Sequence, residues 1–167
     1  MKLEKGTVIC FESLSPLNLI IKIFSSEEIG HCGIMINDTE IIEAVANGVE
    51  IHTIDEIKKR RGNAIACVLN EAARERFNEV KFDAYINSIK GIKYDYKQMV
   101  VLVINKLFHI AKNGEGFKKL FCSELVAHAL EVSNVINPLN ASMQTPQDIM
   151  DLGIYKQRFD LKKLVIK

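Results

Sequence analysis

The sequence predicts an α+β domain, a small antiparallel β-sheet or barrel packed against helices. Three observations carry this. Residues 1–70 read mostly as short strands separated by turn residues. From Glu71 onward the apolar spacing changes to a helical period. Strands followed by helices, rather than alternating with them, favour segregated layers over a parallel βαβ sheet. At 167 residues, 48% of them apolar and 26% charged, the chain suits one domain with one core. Residues 1–167 are expected to form that single domain, with no repeat, low-complexity tract or linker.

The first strand is GTVICF (6–11), β-rich and apolar. SPLNLIIKIFSS (15–26) is apolar and reads as a helix lying on the sheet; the alternatives are a lip over a cleft or a membrane-surface contact. Strands follow at GHCGIMI (30–36), EIIEAV (40–45), GVEIHTI (48–54) and AIACVL (64–69). Asn37-Asp38 and Asn47-Gly48 punctuate them, the latter a strong tight-hairpin signal. IDEIKKR (54–60) reads as a short helix. One helix is predicted over 71–91, with Phe77, Val80, Ala84 and Ile89 on its apolar face and Gly91 as its stop. Further helices are expected over 96–112, 122–134 and 145–152, the last with Pro146 in its first turn. RFDLKKLVI (158–166) is expected to return as a strand.

A net charge of +1 gives no electrostatic pull toward nucleic acid, so no nucleic-acid partner is expected. The run Lys58-Lys59-Arg60-Arg61 reads as a solvated helix end. MKLEKGTVICF lacks the signal-peptide pattern, and no stretch is long enough to span a bilayer. A cytoplasmic location is therefore expected, with thiols reduced. The four cysteines lie in separate segments without a CxxC pair, so neither a disulfide framework nor a zinc site is predicted. No cofactor and no metal is implied.

In GHCGIMIN (30–37) a histidine adjoins a cysteine. Strand alternation separates them: His31, Gly33 and Met35 share one face, and Cys32, Ile34 and Ile36 share the other. Cys32 is therefore a core thiol, as are Cys10 and Cys67 inside apolar strands. Cys122 differs, because it stands where the helical pattern FCSELVAHAL begins. A helix N-terminus offers unpaired N–H groups and partial positive charge, which favour a nucleophilic thiolate. The competing reading is a buried cysteine on a core helix. A thiolate needs a base, and the base needs an orienting group. His31 is the candidate base. Glu43, a carboxylate in an apolar strand, is the candidate orienter, provided an odd-numbered loop joins the two strands. A three-residue loop at 37–39 sets Glu43 opposite Gly33 and diagonal to His31, whereas a two-residue loop sends it to the Cys32 face. Its alternative is an edge-strand carboxylate reaching solvent. His52, His109 and His128 read as structural or solvent-facing, Ser123 as a helix-start residue, and Glu124 as a carboxylate suited to the positive end of the helix.

Taken in order, GTVICF, SPLNLIIKIFSSEEIGHCGIMIN, IIEAVANGV, GIKYDY, FCSELV and TPQDI resemble the YiiX-like branch of the NlpC-type papain-like cysteine hydrolases, a circularly permuted fold. The resemblance runs from about Gly6 to Leu152. It implies that Cys122 is the nucleophile, that His31 is the histidine of the His-x-Gly strand, and that Glu43 is the polar third residue. It also implies that Tyr94 lines the site and supports the oxyanion. Cys32 occupies a middle position that is commonly aliphatic in the family. The implied activity is a cysteine peptidase or amidase acting through an acyl-enzyme, on a small peptide, a peptidoglycan fragment or an acyl-lipid. Two alternatives stay open: a lipid-directed thioesterase, acyltransferase or amidase using the same thiolate, and a non-catalytic binding module with a degenerate site.

Overall fold

A computed structural model describes residues 3–12, 28–45, 48–60, 63–92, 121–139 and 144–163. Tyr94, the apolar segment 15–26 and the expected helix 96–112 lie outside the described residues. The strands are β1 (Val8–Glu12), β2 (Ile29–Met35), β3 (Glu40–Val45), β4 (Gly48–Thr53), β5 (Ala64–Leu69) and β6 (Tyr155–Asp160). The helices are α1 (Ile54–Arg60), α2 (Glu71–Arg76), α3 (Glu79–Ile89), α4 (Phe121–Val132) and α5 (Pro146–Asp151). All six strands join one antiparallel sheet in the order β4-β3-β2-β1-β5-β6, so the architecture is α+β as expected.

The sheet is apolar on both sides, which explains why its central strands read as continuous apolar runs. One face presents Val8, Cys10, Cys32, Ile34, Ile42 and Cys67 to Phe82 of α3, Val126 and Leu130 of α4, and Ile149 of α5. The opposite face presents Ile9, Phe11, Met35, Ile41 and Ala66 to Leu3, Ile54, Ile57 and Leu161. Each fully buried Ile, Leu or Phe in these clusters contributes roughly 1.5–3 kcal/mol.

The β2–β3 hairpin sets the register on which the site depends. Ile34 pairs with Ile42, Met35 with Ile41, and the Ile36 N–H donates to Glu40 O at 2.9 Å. The loop is therefore 37–39, an odd one. Asn37 closes it: its Oδ1 accepts from the backbone N–H of Thr39 (2.9 Å) and of Glu40 (2.8 Å). By the same count Glu43 stands opposite Gly33, on the His31 face.

Three elements differ from the sequence expectation. The helix over 71–91 is two helices, because Asn78 caps α3 through a bond from Lys81 N–H to its Oδ1 (3.0 Å), which interrupts the chain after Arg76. The helix over 122–134 ends at Val132, and Asn134 turns away in the left-handed region at φ 62°. The final strand begins at Tyr155 and stops at Asp160, where Leu161–Lys163 tighten into a 3-10 turn. The Tyr155–Asp160 strand is fixed by pairing with β5 rather than by its own pattern.

Gly33 permits the close approach of β3. A Cβ there would sit 2.8 Å from Ile41 Cδ1 and 2.9 Å from the backbone Ile42 O, one residue before Glu43. Gly33→Ala is expected to cost about 1–3 kcal/mol in urea denaturation, as an overpacked core does. An unchanged unfolding midpoint would show that this approach is not tight.

Candidate active site

Cys122 is the second residue of α4, within the turn whose N–H groups lack intrahelical partners. Ser123 anchors that turn: its Oγ donates to Gln144 O at 2.6 Å, tying α4 to the segment before α5. α4 packs across β2 and β3 where their ladder stops. Met35 N–H points to Thr7 O on the β1 side, so the alternate N–H groups of Ile34 and Cys32 point toward β3. The β2–β3 pairs run only from Met35 to Ile34, and beyond them Cys32 borders the Cys122 thiol. The thiol thus lies at a seam in the sheet, where groups from both faces reach it.

His31 reaches that seam from the other face. Its Nε2 lies 2.7 Å from Glu43 Oε2. A carboxylate only accepts, so Nε2 carries the proton and Nδ1 is left for the thiol. Phe11, paired with His31 across β1 and β2, packs beside the imidazole at 5.5 Å between centroids. Glu43 is fully buried, at 0% exposure, and not the solvent-reaching edge carboxylate of the alternative reading. It sits on β3, one strand in from the edge.

The electrostatics follow from this placement. Hydrogen bonding from Cys32 and the nearby His31 charge hold the Cys122 thiol well below its ordinary range, against the opposing effect of burial. Burial works against a charged His31, but the Cys122 sulfur and the Glu43 carboxylate outweigh it and raise the imidazole to about 9. Each shift supports the other: between them lies a pH window in which the pair is a thiolate beside an imidazolium. Burial, followed by the bond to Cys122, pushes the Cys32 thiol well above its ordinary value, so Cys32 stays protonated and donates. Cys10 is likewise raised, by its bond with Cys67 and by burial. Cys10, Cys32 and Cys67 are free, buried thiols of the core.

One residue of this cluster was not singled out by the sequence. His52 Nδ1 lies 2.8 Å from Glu43 Oε1, and its Nε2 lies 3.3 Å from Glu50 Oε2. The signal was present in the alternation of β4: pairing Glu43 with Glu50 and Ile41 with His52 puts all four on one face. His128 is exposed and bonded to Glu131 on its own helix, away from the site. Among the described residues no group of three or more His, Cys, Asp or Glu side chains is arranged to hold a metal ion. No helix among them is long and apolar enough to cross a membrane.

No known family model matches the chain. A curated relative, the probable lipoprotein peptidase YaeF of Escherichia coli K12, is 23% identical over 180 aligned residues. The alignment covers 91% of this chain and 64% of that protein, so the chain spans less than two thirds of its relative's length. Among solved structures, the metalloprotein YiiX of Escherichia coli O157:H7 superposes with a TM-score of 0.60 at 15% identity, covering 96% of this chain and 97% of that one. The fold is therefore YiiX-like, as the motifs suggested.

Alkylation by iodoacetamide, read cysteine by cysteine by mass spectrometry, tests the electrostatics. Cys122 is expected to react at pH 6, well below the free-thiol midpoint of about 8.5, while Cys10 and Cys32 stay slow. In Glu43→Gln the imidazolium loses its carboxylate, so the Cys122 midpoint moves upward. A Cys122 midpoint near 8.5 in the unaltered protein would contradict the charged pair.

Proposed function

We propose that the protein is a cysteine hydrolase of the peptidase or amidase type, acting on an amide of a small peptide or cell-wall peptide. The observation that supports it best is the row formed by Cys122 at the start of α4, His31 on β2 and Glu43 on β3, with 2.7 Å between the last two. The likeness to YaeF, a probable lipoprotein peptidase, favours amide hydrolysis over other acyl chemistry.

The Cys122 thiolate attacks the substrate carbonyl and forms a thioester, with the developing oxyanion held by N–H groups of the first turn of α4. His31 Nδ1–H protonates the departing amine; water, deprotonated by His31, then hydrolyses the thioester. Glu43 holds the Nε2–H tautomer and stabilises the imidazolium. Positioned proton transfer of this kind is worth about 10²–10⁴-fold. By resemblance, the Tyr94 hydroxyl adds a second oxyanion donor. The four free thiols favour a reducing compartment, and a cytoplasmic location is part of this reading.

p-Nitrophenyl acetate, an activated acyl donor, provides the test. Intact and peptide mass spectrometry should find the acetyl group on Cys122, and Cys122→Ala should give neither adduct nor burst while keeping its circular dichroism. The rate of turnover should rise through the acid limb as Cys122 ionises. With a peptide p-nitroanilide, whose amine must be protonated to depart, acylation should fall again near pH 9, where His31 loses its proton. Retained turnover in Cys122→Ala would end the proposal. Absence of an adduct in the unaltered protein would favour a non-catalytic binding module.

A further inference from the structure

We propose that His52 is a positioning residue for this site, holding Glu43 from the side opposite His31, so that the working unit is a row of four groups, Cys122–His31–Glu43–His52. This rests on the hydrolase reading above and extends it. The geometry is direct. The two oxygens of one carboxylate are divided between two imidazoles: His31 Nε2 at 2.7 Å from Oε2 and His52 Nδ1 at 2.8 Å from Oε1. Glu43 is 0% exposed, and the two rings only 13% and 11%. His52 is itself backed on its outer side by Glu50 at 3.3 Å, on its own strand.

A carboxylate terminus turns easily about its last torsion, which has a broad minimum. A single partner leaves that rotation partly free; a second N–H on the other oxygen fixes the plane. A hydrogen bond to the charged form also favours that form. Donation from His52 therefore keeps Glu43 ionised and less basic, so the proton shared with His31 stays on the imidazole. This keeps Glu43 an orienting group that does not take up the proton itself. Two further titratable groups face this row: Cys32 from β2, bonded to Cys122, and Glu50 from β4, beside His52. Glu56 of α1, the helix packed on β4, is engaged by Thr53.

The two amide side chains separate positioning from simple bulk. In His52→Asn the amide nitrogen takes the place of Nδ1 and can still donate to Glu43. In His52→Gln it takes the place of Nε2 and faces Glu50 instead. The readout is the pH profile of Cys122 alkylation by iodoacetamide on the full chain, with thermal melting alongside. His52→Asn should keep the profile of the unaltered protein. His52→Gln and His52→Ala should move the Cys122 midpoint up by about one unit, which slows alkylation about tenfold on the acid limb, below both midpoints. A merely structural His52 lowers the melting temperature in all three variants without that order. Profiles unchanged in His52→Gln, or shifted equally in His52→Asn and His52→Gln, overturn the role of His52. If the unaltered protein shows an ordinary thiol midpoint that His31→Ala leaves unmoved, the hydrolase reading itself fails. A depressed midpoint that His31→Ala abolishes, with the His52 variants inert, removes His52 alone.

Discussion

Everything at the site depends on keeping one carboxylate ionised where water does not reach it. Glu43 is fully buried in a strand whose other residues, apart from Glu40 at its start, are apolar. An isolated buried charge is too costly to persist and would be neutralised by protonation. Two imidazole N–H groups replace the lost hydration, one on each oxygen. That arrangement passes outward in both directions. Toward α4 it raises the affinity of His31 for its proton, and the imidazolium in turn favours the Cys122 thiolate. Toward the sheet edge it engages β4 through His52 and Glu50.

The backbone does the placing. Asn37 closes an odd-numbered loop, and that single feature decides which face Glu43 occupies, since a slip of one residue would turn it toward the helices. Gly33 leaves room for β3 to approach, and Phe11 supports the His31 ring from β1. The paired stretch of β2 and β3 is short, and beyond it Cys32 borders the Cys122 thiol at the start of α4. A helix start and a strand seam thus meet at one atom.

Much of this was legible in the sequence because it follows from period and parity. The alternation of GHCGIMI separates His31 from Cys32, and the count of residues between His31 and Glu43 shows that the two share a face only across an odd-numbered loop, the kind the structure has. Pro146 marks the start of the last helix in the same local way, and the structure adds a capping box between Thr145 and Asp148. Non-local features were harder to read. His52 looked like an edge-strand residue because its partner is fixed by a second hairpin, and only the pairing of Glu43 with Glu50 brings it to the carboxylate. The apolar face expected over 71–91 was misread: Val80 and Ala84 are exposed and α3 buries Phe82 and Ile86 instead, while the signal for the break after Arg76, the Asn78 side chain, is a single cap. The strand at Tyr155–Asp160 is polar outward and gains its identity from β5.

The most direct measurement is the titration of His31 by 15N-detected NMR, with the ring assigned through His31→Ala. A ring that carries both protons at neutral pH and loses one near pH 9 is the expected result. Replacing Cys122 by serine should then bring the transition down, because the sulfur that holds the charge is gone. A ring that titrates near the ordinary histidine value of about 6.5, indifferent to Cys122, would contradict the charged pair from which the chemistry is derived.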